Sequence, residues 1–303
     1  MKIFYLPQEK IDKTKWDYCI DTSANGLIYA YSFYLDTMSK NWDALILADY
    51  SVVMPLTWNK KFGIYYLYQP FFAASLGIFG NDISAETVKA FLDSIPAKFK
   101  YWDFYLNRNN IFSIAGYGLY ERRNFILSLQ KNYDLLSAHY SKSHVRNIKR
   151  AKDSGNVVHK NIPLADVVTL AKEQSKDFSP VTEKDYENFS SLFSILKQKN
   201  DAVTYGVLSS QQELVASCVY FFSHSRAYYI LVGNHPNGRT SGASHLMIDY
   251  FIKEHAGENL LLDFEGSDIK NLAWFYGSFG ASEEKYAGIK LNRLPSLAKL
   301  FKQ

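Results

Sequence analysis

The chain has 303 residues, 47% hydrophobic and 21% charged, with a formal net charge of +4. That balance belongs to a globular protein long enough for two domains, and the charge is too small to signal nucleic acid by itself, so no DNA partner is expected. Two cysteines give no disulfide framework and fit a reducing cytoplasm, and no stretch reaches the roughly 18 apolar residues of a membrane span.

Residues 1–7 are too short in apolar length for a signal peptide. Residues 12–22 read as a helix with Trp16, Cys19 and Ile20 on one face, and 31–40 as a second helix. Residues 44–50 and 52–56 read as paired strands around a tight turn, and 63–68 as a third strand. The stretch 69–80 carries Pro70, Gly77 and Gly80 and reads as an irregular apolar loop. Ser84 is placed to cap a helix over 85–97, with Val88, Phe91, Leu92 and Ile95 inward. Strands are expected at 101–106 and 122–129. The second half repeats this order: a helical opening over about 143–200, strands at 203–208, 214–222 and 227–232, a loop and a helix, and a strand at 260–264. A helix over 269–276 and a last strand over 285–291 complete it. The repeat divides the chain into domains 1–134 and 135–303, with a cleft expected between them. Twenty-three Tyr and 21 Phe fill either an aromatic core or the walls of a cleft for a long, partly apolar ligand.

Three places suggest chemistry. In the helix over 143–153, Arg146, Lys149 and Arg150 share a face, while Val145, Ile148 and Ala151 or Lys152 fall on the other. The basic face is either solvated or a surface for phosphates. After the strand 227–232 comes the small-residue loop Asn237-Gly238-Arg239-Thr240-Ser241-Gly242-Ala243-Ser244, then a helix. A strand, a small-residue loop and a helix start make an anion site: the first helical N–H groups lack partners and carry partial positive charge. Gly242 and Ala243 would admit a phosphate, and Arg239 would add a fixed charge. The loop is neither a Walker nor a dinucleotide motif, and an ordinary helix start remains open. Third, Asp263 and Glu265 stand at the C-terminal end of the strand 260–264, where ligands bind in open α/β sheets; they are either a base and its neighbour or a turn-capping pair. The seven histidines show no metal spacing, so no metal is expected.

The order of elements resembles the GNAT acyltransferase fold, and more closely the FemABX peptidyltransferases. The segment from Ser141 through Arg146, Ile148, Ala151 and Gly155 is similar to a FemABX pattern. Ser241 to Leu246 resembles the family's loop-to-helix segment, and Asp263-Phe264-Glu265-Gly266-Ser267 with Phe275-Tyr276-Gly277-Ser278-Phe279-Gly280 its closing motif. The likeness covers mainly residues 135–290. It implies an α/β (α+β) fold of two tandem GNAT-like domains, each a mixed, mainly antiparallel sheet flanked by helices. It also implies a bacterial, cytoplasmic acyl- or aminoacyltransferase. No cofactor is held permanently; acyl-CoA or aminoacyl-tRNA is the co-substrate, and the acceptor is a small molecule or peptide amine.

On that reading the donor phosphates lie on Arg239, Ser241, Gly242, Ala243 and Ser244. Strand amides at Val232 and Gly233 stabilise the oxyanion. Glu265 relays the amine proton and Tyr276 protonates the leaving group. Arg146, Lys149, Arg150 and Phe275 contact substrate, including a tRNA acceptor end. The family usually has Lys where this chain has Tyr276, which puts the usual cell-wall peptide substrate in doubt. A non-catalytic tandem module binding a peptide or lipid-linked ligand is the alternative, and an RNA-binding role for the basic helix a third. Oligomeric state is not legible.

Overall fold

The computed structural model describes residues 2–177, 179–266 and 268–294. Contacts divide it into two compact units. One holds the residues up to Arg122 together with those from Lys285 onward; the other is Arg123–Glu284. The division expected was at residues 134 and 135.

The first unit begins with β1 (Ile3–Leu6), α1 (Lys13–Thr22) and α2 (Ser32–Met38). Next come β2 (Trp42–Leu47), β3 (Val52–Lys61), β4 (Ile64–Tyr68) and the short β5 (Phe79–Gly80). Then follow α3 (Ala85–Asp93), β6 (Phe99–Leu106) and the first residues of β7 (Leu119–Ser128). Its sheet runs β1-β2-β3-β4-β6 and is continued by β13 (Ser282–Asn292), with β5 on β3. All pairings are antiparallel except β4 with β6. Alternation sends Leu67, Trp102, Phe104 and Ile289 into one core with Val88, Phe91 and Leu92 of α3. Ser84 caps α3 by accepting from the Thr87 amide. The helix ends at Asp93 rather than 97, because Pro96 cannot continue it.

The second unit contains α4 (Tyr133–Ser137), α5 (Lys142–Asp153), β8 (Val157–Lys160), α6 (Leu164–Ser175) and α7 (Glu183–Gln198). It continues with β9 (Ala202–Leu208), β10 (Leu214–Ser223), β11 (Arg226–Asn234), α8 (Pro236–Ser241) and α9 (Ala243–Glu254). β12 (Leu261–Asp263) and α10 (Lys270–Gly277) complete it. The sheet order is β7-β12-β11-β10-β9-β8, antiparallel except β11 with β12. α5 and α9 pack together, and Ile148 and Ala151 join Leu246, Met247, Phe251 and the inward strand residues in one core. Each unit is therefore a mixed, mainly antiparallel sheet with helices, as expected.

Three expectations need correction. The helical opening is interrupted by β8, a four-residue strand too short and too exposed to show as a period. The stretch read as an open loop after β11 contains α8, with Pro236 at its first turn and the His235 ring accepting from the Asn237 amide. In α5 the buried stripe is His144, Ile148 and Ala151, and Val145 is 52% exposed. A histidine thus takes the apolar place that Val145 was expected to fill.

Candidate active site

The second unit's parallel pair is short. Arg226, Ala227 and Tyr228 pair with Leu261, Leu262 and Asp263, and β11 then runs six residues further to Asn234. The pair is locked at its start. Arg226, 3% exposed, donates to Asp263 at 2.6 Å and to Glu284 at 2.6 Å, and Asn124 donates to Asp263 at 2.8 Å. Asp263 also accepts from the Glu265 amide at 2.9 Å. Of the two carboxylates considered as a base, Asp263 is therefore a buried ion-pair and turn-capping group. Glu265 stands beyond it at positive φ (+62), half-buried.

Beyond its pairing with β12, β11 is irregular on its other side too. Cys218 pairs with Val232 and Val219 with Ile230, so Leu231 is an extra residue at φ +40. A bulge takes its residue out of the ladder and re-aims the neighbouring peptides. Val232 and Gly233, the expected oxyanion amides, follow that bulge immediately. Gly233 is required for a second reason: a Cβ there would stand 2.7 Å from the Ala171 amide of α6.

The residues expected to hold the donor phosphates sit on α8 and the start of α9. Arg239 is exposed on α8 and makes no ion pair among the described residues. Ser241 accepts from the Asn156 amide at 3.0 Å, and Ser244 donates to Asn234 at the end of β11. Gly242 joins the two helices at φ +85 and is the N-cap of α9, with no side chain capping it. A Cβ at Gly242 would meet the Asn147 carbonyl at 2.6 Å, and Ala243 is fully buried. The face where a side chain would be belongs to α5, so this glycine serves a helix crossing. Any anion must approach the uncapped amides from elsewhere around the helix end.

α9 and α10 meet through rings. His245 lies 4.9 Å from Phe275 and 4.5 Å from His144, ring centre to ring centre. His144, fully buried, donates from Nε2 to the Phe275 carbonyl at 3.0 Å, and its Nδ1 lies 3.2 Å from the Ser141 hydroxyl. The Asn147 amide donates to His245 Nε2, and Arg150 holds Asn147 from its other side at 2.9 Å. Burial, and then the neighbouring His144, push His245 down to about 3; burial also lowers His144. Both rings are neutral near pH 7.

Tyr276, 8% exposed, stacks on Phe264 at 4.5 Å with Phe125 and Phe275 around it. Its hydroxyl has no hydrogen-bond partner among the described residues. Burial, and then the charge of Glu265, hold its pKa well above the ordinary value, so it is a protonated phenol at neutral pH. Contacts therefore run from the end of β11 to α9 through Ser244, to α10 through His245, and to the end of β12 through Tyr276. Lys149 pairs with Asp153 along α5, while Arg146 is exposed and makes no ion pair among the described residues. Ser267 of the closing motif lies outside the described residues. His144 and Asn147 were missed in sequence; a histidine inside a basic stretch gives no sign of burial.

The first unit has its own feature. Tyr66, Tyr68, Tyr101, Asp103, Tyr105 and Lys290 line a cavity of about 440 Å³. Strand register explains it: Tyr68, Asp103 and Lys290 are cross-strand neighbours, and Tyr101 and Tyr105 flank Asp103 on the same face. Tyr101 donates to Asp103 at 3.2 Å.

Among the described residues, no helix is long and apolar enough to cross a membrane, and no cluster of His, Cys, Asp and Glu could hold a metal ion. No family model matches the chain, and no curated protein matches it. Solved structures do. FemX is 14% identical, with full coverage of both chains and a TM-score of 0.65. A conserved protein of unknown function from Bacteroides thetaiotaomicron is 11% identical over 92% of this chain and 96% of its own, at 0.60. The C-terminal domain of a putative lysylphosphatidylglycerol synthetase from Agrobacterium fabrum is 10% identical over 96% and 94%, at 0.57. At these identities the likeness is one of fold: the chain has the FemX-like, GNAT-related fold that its own segments resemble.

Proposed function

We propose that this protein is an acyl- or aminoacyltransferase moving an acyl group from a CoA thioester or an aminoacyl-tRNA to an amine in the cytoplasm. The observation that carries the reading is local: a parallel strand pair ends at Tyr228 and Asp263, β11 continues through a bulge at Leu231, and an uncapped twelve-residue helix follows. Amides re-aimed beside a bulge suit a developing oxyanion, and an uncapped helix start suits a phosphate. A fold shared with FemX and with a lysylphosphatidylglycerol synthetase domain supports the same class.

The acceptor nitrogen attacks the acyl carbon, and the carbonyl oxygen takes the charge against the amides of Val232 and Gly233. The amine proton leaves through Glu265 or water. The carbon–sulfur or ester carbon–oxygen bond breaks, and Tyr276 gives its phenolic proton to the departing group. Arg239 supplies charge to the donor phosphates. The phenol is available as that acid, and burial with the Glu265 charge makes it a weaker one than an ordinary tyrosine. Most of the rate would come from positioning two substrates. In the first unit, a carboxylate among tyrosine rings suits an ammonium group, and Asp103 is our choice for a residue binding an amine.

The second reading, a binding module without turnover, draws on Gly242, whose open side is filled by Asn147. Turnover of acetyl-CoA, longer acyl-CoAs and aminoacyl-tRNA with amine acceptors separates the two, alongside melting temperatures with each donor. Transfer is expected to fall about 100-fold or more in Tyr276→Phe with the fold intact. A donor that raises the melting temperature of wild type but not of Arg239→Ala, without any transfer, supports the binding module. No shift with any donor, and no transfer, removes the transferase and leaves the module for a peptide or lipid-linked ligand.

A further inference from the structure

The turn between β3 and β4 is built against its own local chemistry. Lys61 pairs with Ile64, so the loop is Phe62 and Gly63 alone. Their φ angles are +50 and +79, the two positive values of a type I′ hairpin turn. Asn, Asp or Gly usually takes the first position, because a bulky side chain at positive φ is strained. Burial does not repay Phe62 for that strain, since the residue is 91% exposed. Lys60 and Lys61 beside it are exposed, and neither makes an ion pair among the described residues. Their ammonium groups lie over rings instead: Lys61 is 5.5 Å from the centre of Phe62 and Lys60 is 4.8 Å from that of Tyr65. The result is an apolar tip on a cationic collar.

We propose that this hairpin tip docks on an anionic lipid surface, with Phe62 entering the boundary between headgroups and acyl chains and Lys60 and Lys61 lying at phosphate level. A residue that breaks a local folding rule without gaining a packing partner is best explained by a contact outside the fold. The shape favours a membrane over a protein, whose specific interfaces bury about 800 Å² on each side rather than one convex ring. Nucleic acid would use the lysines and leave the phenyl ring without a role. A bilayer uses both: apolar rings partition into the interface, and each lysine near an anionic surface adds about fivefold to binding. Docking of this kind is weak and reversible, and it holds whether or not the chain transfers acyl groups.

The test uses the whole chain with mixed phosphatidylglycerol–phosphatidylcholine vesicles, against pure phosphatidylcholine vesicles, at low ionic strength. Wild type is expected to sediment with the anionic vesicles and to release as salt is raised. Phe62→Asn places the preferred residue in the turn, so its melting temperature should hold or rise while vesicle binding falls on the order of tenfold. The double variant Lys60→Gln, Lys61→Gln should lose about 25-fold. In Phe62→Trp, the emission added over that of wild type, which has five tryptophans, should shift to the blue on vesicles and be quenched by brominated lipid. Absence of wild-type binding to anionic vesicles overturns the proposal. So does equal binding by Phe62→Asn, salt-sensitive binding to RNA without binding to vesicles, or an indole emission in Phe62→Trp that vesicles leave unchanged.

Discussion

Both units contain one parallel strand pair followed or interrupted by a helix, and they use it differently. In the first unit β4 and β6 are held by aromatic packing: Tyr65 lies opposite Phe99, with ring centres 6.4 Å apart, and Trp58 adds a third ring. The helix between these strands, α3, is closed at its start by the Ser84 hydroxyl. In the second unit β11 and β12 are clamped by the buried Arg226–Asp263 pair, and α9 between them starts at Gly242 with no side-chain cap. One pair ends in a satisfied helix and offers a tyrosine floor on its open face. The other ends in a bulge and a helix start whose amides no side chain caps. Equivalent topology thus leaves a floor of side chains in one unit and a bulge with an uncapped helix start in the other.

The ionic clamp gives the largest expected effect. Arg226→Met leaves the buried Asp263 without its cation and the half-buried Glu284 without its Arg226 contact, and should cost about 3–5 kcal/mol in urea unfolding. A loss under about 1 kcal/mol would mean that the clamp is not what holds the second pair. Next is Gly242→Ala, which combines positive φ with a Cβ 2.6 Å from the Asn147 carbonyl. It should destabilise by roughly 2 kcal/mol and shift α9 against α5. Unchanged stability would mean that the close approach of Gly242 to Asn147 does not constrain the crossing of α5 and α9. Ser84→Ala should cost about 1 kcal/mol, while Ser244→Ala, which caps nothing, should leave helix stability near wild type. Equal losses from the two would erase the contrast between the helix starts.

A further effect is a pH slope. His245 is held near 3 in the folded protein against about 6.5 unfolded. The unfolded chain therefore binds the extra proton as pH falls below about 6.5, and stability present at neutral pH is lost toward pH 4. His144 acts in the same direction. A His245→Gln variant should show a flatter stability profile between pH 7 and 4, read by thermal melts at each pH. Parallel profiles would show that the His245 ring is not shielded as its neighbours indicate.

Much of the architecture was legible in sequence because strands and helices announce themselves by period. Residues 44–47, 64–68, 203–208 and 227–232 are mainly apolar, β-branched or aromatic and bounded by turn residues, and each lies in a strand. Ser84 was legible as a cap because its hydroxyl acts within three residues. β8 was not, since four residues, three of them exposed, carry no period. Nor was the course of residues 236–242, where Gly238 and Gly242 read as a loop; Pro236 and the His235 ring nonetheless start a helix there. Gly242 was singled out for the room it would leave, and its close neighbour is a carbonyl of α5, 95 residues earlier in the chain.

By itself, the sequence determined the element types, the doubled order of helices and strands, the resemblance to a GNAT-related fold, and Tyr276 and Glu265 as titratable groups worth naming. These depend on neighbours within a turn or two, where spacing is a physical constraint. Tertiary structure alone decided that Asp263 belongs to Arg226, that His144 is buried among rings of α9 and α10, and that Tyr276 is buried against Phe264. It also decided that Tyr66, Tyr101 and Asp103 share a floor. Burial and charge pairing depend on which distant segments meet, and that is fixed by register and packing across the sheet rather than by any local run of residues.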